Sequence, residues 1–88
     1  MSLTQNLASR FGEEHIRVNA VAPGYINSGP RVQQIWDSRD TAPILASIAF
    51  RRRGETDEVA STILFLASDA SAYITGATID VNGGVITR

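Results

Sequence analysis

Leu3, Leu7 and Phe11 recur four residues apart with Ala8 beside them, a spacing that stacks apolar side chains on one face of an α-helix. Gly12 follows at once and is expected to close that helix in the left-handed C-cap conformation, while Ser2 and Gln5 have the spacing of a capping box at its start. The pattern then changes. Residues 16–22 are small or β-branched with a single charge, as in a strand covered on both faces. Pro23 has no N–H to give to a ladder, so pairing is expected to stop there. Residues 24–30 hold two glycines and a proline and should carry little regular structure.

Val32, Ile35 and Trp36 predict a short amphipathic helix, and Thr41 with Pro43 predicts the start of another that carries Ile44, Leu45, Ile48 and Ala49. Two short helices broken at 37–42 read as a mobile lid, followed by a turn at 51–54. Thr56 is the expected N-cap of the next helix, with Asp57 and Glu58 where the helix dipole favours negative charge. That helix is apolar through Val59, Ala60, Ile63, Leu64, Phe65 and Leu66, so it should pack on more than one side and end near Ser68. Ala77 to Val81 reads as a final strand, stopped by Asn82-Gly83-Gly84. A strand, a helical crossover and a second strand make a right-handed βαβ unit with parallel strands, hence an α/β fold. A hairpin at Asn82-Gly83, returning through Val85 and Ile86, is the alternative.

Eighty-eight residues with 43% hydrophobic content allow one small unit, and so short a chain buries too little surface to be more than marginally stable alone. There is no cysteine and only one histidine, His15, so neither disulfides nor a zinc site can compensate. A net charge of -1 gives no general attraction to nucleic acid or to an anionic membrane. The one basic run, Arg51-Arg52-Arg53, lies beside Glu55, Asp57 and Glu58 and reads as a solvated or ion-paired turn rather than a phosphate site. No stretch is long and apolar enough for a membrane span, and the first residues lack a signal-peptide layout. A cytoplasmic location is the expectation.

Several segments together carry a resemblance: Arg17-Val18-Asn19-Ala20-Val21-Ala22-Pro23-Gly24-Tyr25-Ile26, Arg53-Gly54-Glu55-Thr56-Asp57-Glu58-Val59-Ala60, Phe65-Leu66-Ala67-Ser68-Asp69, and Tyr73-Ile74-Thr75-Gly76 through Asp80-Val81-Asn82-Gly83-Gly84. The chain resembles the C-terminal part of a short-chain dehydrogenase/reductase. The resemblance implies the later portion of one NAD(P)-binding Rossmann-type domain, a doubly wound parallel sheet whose earlier part lies outside residues 1–88. In open sheets of this kind, ligands sit beyond the carboxyl ends of the strands. The strand ending at Pro23 therefore points at a crevice.

The resemblance also implies site residues. Pro23 and Gly24 match the corner after the family's sixth strand, Ile26 the residue whose backbone meets the nicotinamide carboxamide, and Ser28 a position usually held by a cofactor-bonding Thr. An ordinary strand-ending turn would use the same residue types. Tyr25 and Trp36 are candidates to line a substrate pocket, although Trp36 at helical spacing from Val32 also fits simple packing. Asn19, Asp80 and Asn82 are expected to satisfy nearby backbone.

The family's proton transfer uses a Tyr-x-x-x-Lys pair with an upstream Ser, because a tyrosine with a pKa of about 10 needs a neighbouring cation to work near neutrality. All eight basic residues here are arginines, so that pair cannot form within these residues. No glycine-rich phosphate loop opens a helix either. The resemblance thus implies NAD or NADP and an alcohol or carbonyl substrate for the complete enzyme, with these 88 residues expected to be inactive and to bind no cofactor by themselves. The other reading is a non-catalytic, self-associating module. Relatives assemble as dimers or tetramers, which implies a homo-oligomer.

Overall fold

The computed structural model describes residues 2–85, so Met1 and Ile86, the latter part of the hairpin alternative, lie outside the described residues. Helix α1 (Leu3–Phe11) opens on the expected capping box, with the Gln5 N–H donating to Ser2 Oγ at 3.2 Å and the Ser2 N–H to Gln5 Oε1 at 3.0 Å. Gly12 does not close it. Its φ of −61° is right-handed, the chain continues through a 3₁₀ turn (Gly12–Glu14), and His15 takes the left-handed position at φ 61°. Glycine permits left-handed backbone without requiring it, and here the reversal waits until the His15 N–H can donate to the Gly12 carbonyl.

The strand that follows is shorter than its apolar run. Strand β1 (Ala20–Pro23) lies parallel to β4 (Thr78–Val81) in the register Ala20↔Thr78 through Pro23↔Val81. Residues 17–19 are instead held by the loop before β4: the Val18 N–H donates to Thr75 Oγ1, and Asn19 donates to the Ile74 carbonyl while accepting from the Ala77 N–H. Asn19 thus satisfies backbone, as expected. Arg17 gives one N–H group to Ser71 Oγ at 2.9 Å and the Ile74 carbonyl, and another to the Ser68 carbonyl at 3.1 Å.

Between the paired strands the chain runs through β2 (Ile26–Asn27), α2 (Pro30–Asp37), α3 (Ala42–Ala46), β3 (Gly54–Glu55) and α4 (Thr56–Ala67), and a 3₁₀ turn (Asp69–Ser71) leads towards β4. Both short helices form, but α3 ends at Ala46, so Ile48 and Ala49, expected to lie on it, fall beyond it, where Ile48 bridges to Val85. The segment expected to be irregular contains β2, which pairs in parallel with β3 as Ile26↔Gly54 and Asn27↔Glu55. This pairing joins segments far apart in sequence, and no local signal announces it. The hairpin with β4 does not form: Gly83 and Gly84 take positive φ of 63° and 79°, and the chain turns away so that Val85 makes an antiparallel bridge to Ile48.

Helix α4 corrects two further expectations. Its N-cap is Glu55, with Thr56 the first helical residue, because Glu55 and Glu58 form a reciprocal capping box. Of its apolar residues only Leu66 is buried; Leu64 is 70% exposed and Phe65 46%. The helix lies on one side of a two-stranded sheet, and among the described residues nothing covers its other faces.

The consequence reaches the whole molecule. Its accessible surface is 6353 Å² for 9.5 kDa, against about 5,000 Å² for a compact monomer of that mass. The radius of gyration, 15.8 Å, compares with about 12 Å for a closed domain of this length. Ala8, Ile48 and Leu66 are the buried apolar residues among those described, so the core is open.

Two local features hold β1 against its surroundings. A Cβ on Gly24 would lie 2.7 Å from Asn82 Cβ and 3.0 Å from its Cα, so the corner admits no side chain. Gly24→Ala should lose about 1–3 kcal/mol in denaturant unfolding. Gly54→Ala should lose less, because its Cβ would meet only the Ile26 Cδ1 tip at 2.9 Å. Arg17→Ala should lose about 2 kcal/mol by the same measurement, since buried Ser71 and the Ser68 and Ile74 carbonyls each lose a bond to a charged donor.

Candidate functional site

The end of β1 builds the site. After Pro23 the Gly24 N–H still donates to the Val81 carbonyl at 2.9 Å, and the chain then leaves β4 to run beside β3. Pro23, Gly24, Ile26 and Ser28 line one open cavity of about 480 Å³, together with Thr56, Val59, Ala60 and Ile63 of α4. The four residues expected around a cofactor are therefore brought together by the turn out of β1. Tyr25 and Trp36 are not among the residues lining it. Their rings meet each other instead, with centroids 6.3 Å apart and planes tilted by 59°.

Strand pairing fixes the polarity of the site. In the β2–β3 ladder the Gly54 N–H donates to the Tyr25 carbonyl at 2.9 Å. Along a strand the backbone groups of successive residues point to opposite edges, so with the Tyr25 carbonyl turned to β3, the N–H and C=O of Ile26 face away from it. Ile26 thus presents a donor and an acceptor side by side, complementary to a planar amide. An apolar wall from α4 and the Ser28 hydroxyl complete the lining.

A second cavity adjoins the first through Ser28 and Thr56 and takes in Asn27, Gly29, Pro30 and Gln33. Thr56 and Gln33 were not singled out from the sequence. Thr56 read as a helix cap, and Gln33 sits on a helix whose apolar stripe drew attention to Val32 and Trp36. Among the residues expected to serve the backbone, the Asn82 carboxamide oxygen accepts from the Gly84 N–H at 2.9 Å. Asp80 is exposed and lines a different hollow with Arg52, Glu58 and Asn82.

The arginine run resolves into three environments. Arg51, in left-handed backbone at φ 58°, donates back to the Ala46 and Ile48 carbonyls. Arg52 forms a two-pronged pair with Glu58, at 2.8 and 2.9 Å, and is ion-paired as expected. Arg53 is packed rather than solvated: its guanidinium carbon lies 4.3 Å from the centroid of the Trp36 ring.

Residues 1–86 match the family described as Enoyl-(Acyl carrier protein) reductase. The chain belongs to the short-chain dehydrogenase/reductases. It is 46% identical over 83 residues to Protein FixR of Bradyrhizobium diazoefficiens, covering 94% of this chain and 28% of that protein. It is 42% identical over 87 residues to 3-oxoacyl-[acyl-carrier-protein] reductase FabG of Thermotoga maritima, covering 98% of this chain and 34% of that one. A crystal structure from Agrobacterium tumefaciens, described as a putative 2-deoxy-d-gluconate 3-dehydrogenase with bound NADP, superposes with a TM-score of 0.86 at 36% identity over 98% of this chain and 35% of that one. The chain therefore spans about a third of the length of the relatives it matches. Its parallel strands and helices belong to the Rossmann-type architecture of these structures.

The Arg52–Glu58 pair gives the region a pH dependence. Glu58 accepts from Arg52 and from the Glu55 N–H, and these bonds hold its carboxyl at about 2 instead of 4.5. Stability from this group is therefore present above pH 4.5 and lost as the pH falls towards 2. The pair is half-exposed, so the effect should be modest and screened by salt. In urea unfolding followed against pH, Glu58→Gln should flatten the acid limb and leave the neutral range with an unchanged slope.

Proposed function

We propose that residues 1–88 form the nicotinamide end of an NAD(P) crevice, together with the lid over its substrate, in a cytoplasmic homo-oligomeric oxidoreductase acting on an alcohol or carbonyl group. The observation that carries this is the gathering of Pro23, Gly24, Ile26 and Ser28 around one cavity, with the Ile26 N–H and C=O directed away from β3. A donor and acceptor fixed by strand pairing need no reorganisation to hold a carboxamide. Pro23 and Gly24 set the turn, Ser28 offers its hydroxyl to the cofactor, and α4 supplies the apolar wall. Tyr25, which is 45% exposed, and Trp36 of α2 act at the substrate side.

In this reading these residues orient the cofactor and leave proton transfer to groups outside them, since they include no lysine. They constitute the later part of one Rossmann-type domain. By themselves they should turn over no NAD(P)H; substrate-dependent turnover by a preparation free of longer species by intact mass would overturn that part of the proposal.

A second reading, a self-associating module without catalysis, rests on a separate observation: Leu3, Leu64 and Tyr73 are 74%, 70% and 103% exposed. Large apolar groups left open in this way favour association. Light scattering of the full chain should show oligomers, and a compact monomer at high concentration would argue against this reading.

The decisive experiment replaces the matched third of the Thermotoga reductase with residues 1–88. NADH and NADPH binding to the chimera is expected, with Ser28→Ala weakening it about five-fold, the value of one neutral hydrogen bond. A chimera that folds, by circular dichroism and cooperative unfolding, yet binds neither nucleotide would refute the cofactor reading.

A further inference from the structure

Helix α2, the first element of the lid, contains no buried residue. Apolar burial therefore does little to hold it. Arg53 makes two side-chain contacts with it. The Arg53 guanidinium lies over the Trp36 ring at 4.3 Å and donates through Nη2 to Gln33 Oε1. Gln33 and Trp36 are three residues apart and so share one face of α2. Both contacts therefore act on the same side of the helix, and Tyr25 adds its ring to Trp36.

We propose that Arg53 is a positioning residue that latches the lid helix α2 onto the β2–β3 pair and thereby places Gln33 at the cavity beside Ser28 and Thr56. The connection is short at every step. Arg53 immediately precedes Gly54, which pairs directly with Ile26, and Gln33 lines the cavity that Ser28 and Thr56 also line. A guanidinium suits this role better than an ammonium, because a planar fork can stack on an indole and donate in its own plane at once.

One detail distinguishes a latch from a general stabilising contact. Nη1 of Arg53 is buried and has no hydrogen-bond partner among the described residues. A buried unsatisfied donor lowers stability, so an apolar side chain of similar length at this position should keep the protein folded while releasing the helix. The latch does not rest on the cofactor reading, because its test observes α2 directly and needs neither nucleotide nor substrate.

The experiment uses the full chain labelled with 5-fluorotryptophan, the Trp36 signal being assigned as the resonance lost in Trp36→Phe, together with amide hydrogen exchange followed by mass spectrometry. Arg53→Met is expected to shift the Trp36 fluorine resonance and to speed exchange in α2 by about ten-fold, with exchange in α4 staying within about two-fold of the wild type. Arg53→Lys keeps the cation without the fork and should return only part of the protection. An unshifted resonance with unchanged α2 exchange in Arg53→Met would overturn the proposal. So would equal acceleration in α4, which would mark Arg53 as a contributor to global stability. If Arg53→Met does not fold, the latch is likewise refuted as a separable device. Gln33→Met gives an independent arm: intermediate exchange in α2 supports the latch, and wild-type exchange there counts against it.

Discussion

Parallel pairing of β1 with β4 is the constraint on which the rest depends. Two parallel strands cannot be joined by a tight turn, so the chain between Pro23 and Thr78 must leave the sheet, form its helices and return. The strands are held at both ends. At the start of β1, Arg17 and Asn19 bond to residues 68–77. At the end, Gly24 packs against Asn82 with no room for a side chain. Because the corner is fixed this tightly, Pro23, Gly24, Ile26 and Ser28 converge on one cavity.

The same pairing explains why the molecule is open. Parallel sheets are stable when both faces are covered, and here four paired residues per strand meet one long helix on which a single residue is buried. The apolar length of α4 is more than this sheet needs. The surplus surface and the large radius of gyration are the physical counterpart of a match to about a third of each relative. They also bear on both proposed readings, each of which would cover the exposed face of α4.

Electrostatics play a local part. The three consecutive arginines do not form a basic patch, because each has a different role: Arg51 returns to helix carbonyls, Arg52 pairs with Glu58 at the start of α4, and Arg53 lies on Trp36. Adjacent residues diverge in this way because the chain turns sharply into β3, with Arg51 in left-handed backbone. A run that is uniform in sequence thus ties α3, α4 and α2 to one turn by three different contacts.

Apolar spacing indicated α1, α2 and α4, and the succession of strand, helices and strand indicated the parallel pair, because such patterns act within a few residues of where they stand. The local role of Asn82 was legible for the same reason. The resemblance of the motifs indicated Pro23, Gly24, Ile26 and Ser28. Only the tertiary structure decided what depends on residues far apart. It created β2 by pairing it with β3, gave the N-cap of α4 to Glu55, moved the left-handed turn from Gly12 to His15, and showed which edge Ile26 presents. It also joined Arg53 to Trp36 and Gln33, and Arg17 to Ser71. These contacts depend on where the chain brings distant groups together, and no pattern within one segment contains that information.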